Sequence, residues 1–327
     1  MLALVNGPPP RVVRDHPRPE RGPGEARIRV RLAGVCDTDL QLAAGYMGFR
    51  GVLGHELVGE VVESAGALGV GTRVVADISA GCGACDDCRA RGGHHCATRT
   101  VLGILGRDGA LAEELVMPER CLVPVPDALP DERAVFAEPL AAALHVLDAL
   151  DALDTPDSAG RGRGAPVVVL GDGKLGLLVV HALRSAGLAV FLVGHHEDKL
   201  ALGRALGATS VLEHALGPHP ERARAVVEAT GSPGGLALAL RLLEPRGTLV
   251  LKTTTAGPAS ADLAPIVVHE LRIVGSRCGD IGRAVAALAT GAVDPSALVA
   301  ARYPLARADE ALAHAARRGV LKVLVEP

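Results

Sequence analysis

Between residues 166 and 276 the chain alternates short, almost wholly apolar runs with helical stretches, and this alternation constrains the fold more than any other feature. The runs are PVVVLG (166–171), AVFLVG (189–194), SVLE (210–213), AVVEATG (225–231), GTLVLKT (247–253) and LRIVGS (271–276). They are too short for helices and too continuously apolar for a sheet with one wet face. Helical patterns fall between them at 174–186, 198–206 and 236–243. Strands buried on both faces and joined by helices predict an α/β domain with a doubly wound parallel sheet.

Residues 1 to about 135 have another texture. RIRVRLAGV (27–35), ELVGEVVES (56–64) and TRVVADI (72–78) alternate in period two and are punctuated by Gly and Pro, which predicts a small antiparallel β-rich domain. The polar, Gly-rich segment 151–164 reads as an exposed connection. The last fifty residues read as helices at 282–290 and 307–318 around ARYPL. They close on VLKVLVEP, a strand expected to return to the first domain. The boundaries predicted are 1–145 with 278–327 for the split β-rich domain, and 146–277 for the parallel-sheet domain.

Composition excludes several classes. A net charge of −3 offers no electrostatic case for nucleic acid, and no apolar run approaches the roughly 18 residues of a membrane span. The N-terminal residues lack the pattern of a signal peptide, so a cytoplasmic protein is expected.

Three groups of residues carry chemistry. Cys82, Cys85, Cys88 and Cys96 fall within fifteen residues, and four thiolates at such spacings close a tetrahedron around Zn²⁺ with no open position, a structural site. His94 and His95 lie inside that loop and are expected to be solvated, because the cysteines already fill the shell. Gly171-Asp172-Gly173-Lys174-Leu175-Gly176 follows a strand and opens a helix, the Rossmann arrangement in which a dinucleotide pyrophosphate approaches backbone N–H groups. The third group is dispersed: Cys36, Thr38 and Asp39, then His55 and Glu56, then Glu138. Singly, Cys36 reads as a small buried hydrophobe, His55 as a core imidazole and Glu138 as a helix-start carboxylate. Together they supply the S, N and O donors of an open catalytic zinc site.

An NAD-binding strand of this kind usually ends in an acid that binds the ribose 2′-hydroxyl. Here Gly194, His195 and His196 occupy that place. With Lys199 they would attract a 2′-phosphate, so NADP(H) is favoured over NAD(H). The alternative is that Glu197 or Asp198 takes the acid's role.

The motifs G-V-C-x-T-D, G-H-E-x-x-G-x-V, C-x2-C-x2-C-x7-C, E-P-L and G-x-G-x-x-G occur in that order, and with them the sequence resembles the zinc-dependent medium-chain dehydrogenase/reductase superfamily of alcohol, sorbitol and threonine dehydrogenases over essentially its whole length. The resemblance implies a GroES-like catalytic domain beside the Rossmann domain, with the active-site cleft between them. It implies two zinc ions per chain, the catalytic one held by Cys36 and His55 with Glu56 or Glu138. Thr38 would take the proton from the alcohol, and Asp39 would orient the zinc-binding imidazole. The implied reaction is hydride transfer between an alcohol or its carbonyl and NAD(P)(H) in a homo-oligomer, dimer or tetramer. Many relatives carry a His where this chain has Gln41, so proton exit is expected through the cofactor ribose and water.

Two further expectations come from the residues themselves. Lys252, at the end of a predicted parallel strand, is expected either to snorkel at the surface or to contact the nicotinamide or an acidic or carbonyl substrate group. Tyr46, Phe49 and Phe136 suggest a partly apolar substrate pocket. Two rival functions are a zinc- and nicotinamide-binding sensor without catalysis, and a biosynthetic reductase acting on a larger carbonyl or an activated double bond.

Overall fold

The computed structural model describes residues 1–151, 165–218, 220–254 and 261–327. The connection expected at 151–164 therefore lies outside the described residues, apart from Asp151 at the end of a helix. Two compact units emerge, Met1–Glu138 with Asp280–Pro327, and Pro139–Gly279. The chain crosses between them at Glu138/Pro139 and Gly279/Asp280, so the helix Ala137–Asp151 falls almost entirely in the second unit. Its apolar residues Leu140, Ala141, Ala143 and Val146 are fully buried, which a boundary after residue 145 would have divided.

The first unit is built on a seven-stranded sheet whose long centre is Glu25–Val35. That strand pairs antiparallel with Glu56–Glu63, Glu114–Pro118 and the terminal strand Lys322–Glu326. Its first half alternates in burial, with Ala26, Ile28 and Val30 inside and arginines between them, as the period-two pattern requires. The terminal strand joins as expected, because KVLV is buried throughout and needs neighbours on both edges. Glu25–Val35 supplies one and Val299–Pro304, running parallel, the other.

The second unit is a six-stranded, wholly parallel sheet. Its spatial order is Thr209–Leu212, Val190–Gly194, Val167–Leu170, Ala223–Glu228, Leu243–Leu251 and Arg272–Gly275. The order reverses beside Val167–Leu170, and the carboxyl ends of the strands at such a reversal form the crevice where ligands bind. Leu177, Val180 and Leu183 of the helix Lys174–Ser185 are fully buried, because apolar residues at helical spacing turn one stripe to the core.

Candidate functional site

The first cluster is assembled by local hydrogen bonds. Cys36 follows the long strand Glu25–Val35 and caps the helix Asp37–Ala43. Asp39 is fully buried, and its Oδ2 accepts the N–H of Cys36 at 2.8 Å while its Oδ1 accepts the N–H of Gly54 at 3.0 Å. One carboxylate thus ties the helix start to the turn that carries His55. The same Oδ1 lies 3.4 Å from Nδ1 of His55, which leaves the other ring nitrogen for a metal. Gly54 is required there: its φ is +96°, and a Cβ would meet Leu111 at 2.7 Å.

Cys36, His55 and Glu56 place a sulfur, a nitrogen and an oxygen within 4.8 Å of one another. Burial works against the His55 imidazolium, but Asp39 and Cys36 outweigh it and raise the His55 pKa well above its usual value. Burial likewise works against the Asp39 anion, yet His55 and the two N–H donors hold its pKa below the usual range. Thr38 is half-buried, with its hydroxyl 3.8 Å from the Cys36 sulfur. These donors fit zinc: a compact soft–borderline–hard set whose imidazole is oriented by a buried carboxylate.

Lys322 was missed by sequence reasoning. It is 1% exposed, and its Nζ donates to both oxygens of Glu56 at 2.6 and 2.5 Å and to the carbonyl of Val35 at 3.3 Å. Burial works against its ammonium, but Glu56 and then Cys36 raise its pKa above the usual lysine range. The ammonium also stands 5.8 Å from the centre of the Phe136 ring, which is fully buried core. Gly34 makes room for the pair, since a Cβ there would fall 2.1 Å from Glu56 Oε2. The available signal was a lone lysine inside an otherwise apolar strand, in a chain with only four lysines.

Glu138 stands outside the compact Cys36–His55–Glu56 group and has no hydrogen-bond or ion-pair partner among the described residues. Burial pushes its carboxyl up to about 7, opposed by His55 and assisted by Glu56. In the zinc-free protein this acid holds its proton more tightly folded than unfolded. Its stabilising contribution is therefore full below its ordinary value of 4.5 and is lost as the pH rises through about 7. Glu138→Gln is expected to flatten that part of the stability–pH curve in urea melts of zinc-free protein. An unaltered slope would refute the assignment.

The second cluster lies in the cysteine loop. All four sulfurs fall within 4.8 Å of one another, with Cys82 3.8 Å and Cys85 3.5 Å from Cys88. Zn–S bonds of about 2.3 Å set tetrahedron edges of about 3.8 Å, so the thiols already stand close to the separation zinc imposes. Backbone N–H groups of Ala84 and Cys85 point at the Cys82 sulfur, and that of Cys82 at the Cys96 sulfur. The Thr98 hydroxyl and the N–H groups of Cys82 and Thr98 draw the Cys96 thiol down to about 6, toward the thiolate a metal needs. His95 is exposed as expected, but His94 is not simply solvated. Its Nε2 lies 2.6 Å from Asp77 Oδ2, anchoring the loop to the sheet side of the unit.

The glycine loop has the expected geometry. Gly171 has φ +112° and passes so close to Ala229 that a Cβ would meet its carbonyl at 2.5 Å. A Cβ on Gly176 would meet the Gly171 carbonyl at 1.9 Å, whereas at Gly173 it would meet nothing within 4 Å. Gly173 caps the helix Lys174–Ser185 with no side-chain hydrogen bond. An open cradle over free helix N–H groups suits a pyrophosphate. Lys174 is buried, and Leu175 follows it in the first turn of the helix.

Two expectations around this loop need correction. His195 Nε2 lies 3.0 Å from Glu213 and His196 Nδ1 lies 3.1 Å from Asp172, so a carboxylate faces one nitrogen of each ring, while Nε2 of His196 is buried without a hydrogen-bond partner. Each imidazole thus already has an anion beside it, which weakens its pull on a 2′-phosphate. Glu197 is exposed and paired with Arg204 at 2.5 Å, so it is not available as the ribose acid. Lys252 neither snorkels nor stands free. It is 8% exposed, and its Nζ donates to the carbonyls of Ala142 and Arg277, each at 2.8 Å, and to the Ser276 hydroxyl at 3.3 Å. Those acceptors hold the ammonium inside its own unit.

A parallel dinucleotide-type sheet, an open glycine cradle and two zinc-competent donor sets together define the class of zinc-binding, nicotinamide-dependent oxidoreductases. Residues 22–127 match the alcohol dehydrogenase GroES-like domain, and residues 175–292 match the zinc-binding dehydrogenase domain. The chain is 30% identical over 314 residues to an uncharacterized zinc-type alcohol dehydrogenase-like protein of Haemophilus influenzae, covering 88% of this chain and 86% of that one. It is 32% identical over 237 residues to the L-threonine 3-dehydrogenase of Rhizobium rhizogenes, covering 69% of this chain and 64% of that one. Among solved structures, the alcohol dehydrogenase TADH of Thermus sp. ATN1 superposes with a TM-score of 0.87 at 28% identity, over 100% of this chain and 99% of its own. A Sinorhizobium meliloti protein described as a zinc-binding dehydrogenase, bound to NADP, gives 0.84 at 29% identity, again over 100% and 99%. The chain belongs to the zinc-dependent medium-chain dehydrogenase/reductase family and is an alcohol dehydrogenase-like oxidoreductase.

Proposed function

We propose that the protein interconverts an alcohol and its aldehyde or ketone, with a catalytic zinc at Cys36, His55 and a carboxylate and a structural zinc at Cys82, Cys85, Cys88 and Cys96. The observation that carries this reading is that donor atoms of Cys36, His55 and Glu56 lie within 4.8 Å of one another, with Asp39 bonded to the backbone of both flanking segments. When bound, zinc supplies Lewis acidity and the nicotinamide supplies a hydride acceptor or donor. The chain's residues do the rest. Asp39 faces Nδ1 of His55 and would favour the tautomer that leaves Nε2 to a metal. The Thr38 hydroxyl, beside Cys36, accepts the alcohol proton and passes it outward. Lys322 holds Glu56 as a compensated anion beside Cys36 and His55, and Glu138, which has no partner among the described residues, would complete the shell if Glu56 stays with Lys322.

The test is zinc per chain in protein purified without added metal, followed by a panel of alcohols with NAD and NADP. L-threonine, the substrate named for the Rhizobium relative, heads the panel. Two zincs and turnover of an alcohol are expected. One zinc and no turnover would refute the reading and put the non-catalytic sensor ahead of it.

Two coarser properties follow the same line. No helix among the described residues is long and apolar enough to cross a membrane. Seven cysteines without a disulfide suit a reducing compartment such as the cytoplasm. A second copy of the chain is the fitting partner for the edge of the parallel sheet. There Arg272–Gly275 has no further strand among the described residues, and Leu263, Val267, Val268 and Ile273 are 64%, 79%, 72% and 41% exposed. Val268→Asp is expected to shift the protein to a smaller species in sedimentation velocity. The same sedimentation coefficient for both proteins would exclude this face as the contact.

A further inference from the structure

Resting on the nicotinamide-cofactor reading, we propose that Asp172 supplies, from the glycine loop, the carboxylate that reads the adenosine ribose. The chain would therefore select the dinucleotide with a free 2′-hydroxyl, NAD(H), over its 2′-phosphate. In sheets of this type the ribose acid usually stands at the end of the second strand. That strand, Val190–Gly194, here ends in a residue with no side chain. The space beside it is not empty. A Cβ on Gly194 would fall 2.6 Å from both Cβ and Oδ2 of Asp172, so the Asp172 carboxylate fills the volume a strand-end side chain would enter. Glycine at 194 and aspartate at 172 are complementary, and either one changed alone would clash or leave a gap.

The hydrogen bonds of Asp172 are unequal. Its Oδ2 accepts the N–H of His195 at 2.8 Å, the N–H of His196 at 2.7 Å and Nδ1 of His196 at 3.1 Å. Its Oδ1 receives only a 3.3 Å contact from His196 Nδ1, which leaves it lone-pair capacity for a hydroxyl donor. Asp172 is 5% exposed, and the two N–H groups hold its carboxyl ionised against the cost of burial. A second group points to a ligand. Lys199, in the first turn of the helix Glu197–Ala205, is 6% exposed and has no hydrogen-bond or ion-pair partner among the described residues. Its ammonium is therefore free to donate to a hydroxyl oxygen of the ribose. A diol asks for both an acceptor and a donor, which Asp172 and Lys199 provide.

The Asp172 carboxylate also decides which ribose suits. A 2′-phosphate would meet a fixed carboxylate where the hydroxyl finds an acceptor.

The experiment is titration calorimetry of the full-length zinc-loaded protein with ADP-ribose and 2′-phospho-ADP-ribose, repeated with NADH and NADPH. Wild-type protein is expected to bind the unphosphorylated member of each pair at least tenfold more tightly, and Asp172→Asn to shrink that ratio at least tenfold. Asp172→Ser, which removes the charge in a smaller side chain, repeats the test if the Asn variant does not fold. Wild-type preference for the phosphorylated member, or a ratio unmoved in both variants, overturns the assignment while leaving the cofactor reading intact. No binding of any of the four overturns both.

Discussion

Lys322→Met is expected to destabilise the protein by about 3–5 kcal/mol at neutral pH, the usual cost of leaving one member of a buried ion pair without its partner. Lys322 and Glu56 are each 1% exposed, so neither charge can recover its hydration by a small movement. Methionine fills a similar volume, which confines the effect to the lost charge and the hydrogen bonds to Glu56 and Val35. The double variant Lys322→Met/Glu56→Gln should regain most of the loss, because it removes both charges together. Urea denaturation of the zinc-free forms measures the cycle. A single-variant loss below about 1 kcal/mol would mean the pair is open to water and contributes as a surface bridge does.

His55→Ala is expected to lower the zinc content from two per chain to one and to reduce kcat/KM about a thousandfold. The reduction corresponds to roughly 4 kcal/mol of lost transition-state stabilisation. The four-cysteine cluster shares no residue with the Cys36–His55–Glu56 group, so its ion should stay. Asp39→Asn tests the supporting layer. The amide keeps the shape but not the charge that faces Nδ1 at 3.4 Å, and a loss of about 10–100-fold is expected. Elemental analysis and steady-state rates on the same preparations check both variants. Two zincs retained in His55→Ala, with activity within tenfold of wild type, would place the reactive metal elsewhere.

Features closed within a short stretch of chain are legible from residue order alone. The four cysteines form their cluster inside one loop, and the glycine loop needs only the strand before it and the helix after it. The alternation of apolar runs with helices likewise announces a parallel sheet, since buried strands must be separated by the helices that cover them. Even the return of the terminal strand to the first unit follows from KVLVE being too apolar to stand alone. The domain boundary is harder, because Ala137–Asp151 is one uninterrupted helix and its sequence does not mark which unit buries its apolar face.

By itself, then, the sequence determined the two-domain α/β architecture, both zinc-competent donor sets and the dinucleotide loop, because each depends on residue type and short spacing. Only the tertiary structure decided how the charges are shared. It set Lys322 against Glu56 across 266 positions, placed Glu213 and Asp172 beside His195 and His196, and engaged Lys252 with backbone carbonyls. Partners of buried charges are chosen by strand order and register, and a buried group must be satisfied by whatever the sheet brings beside it.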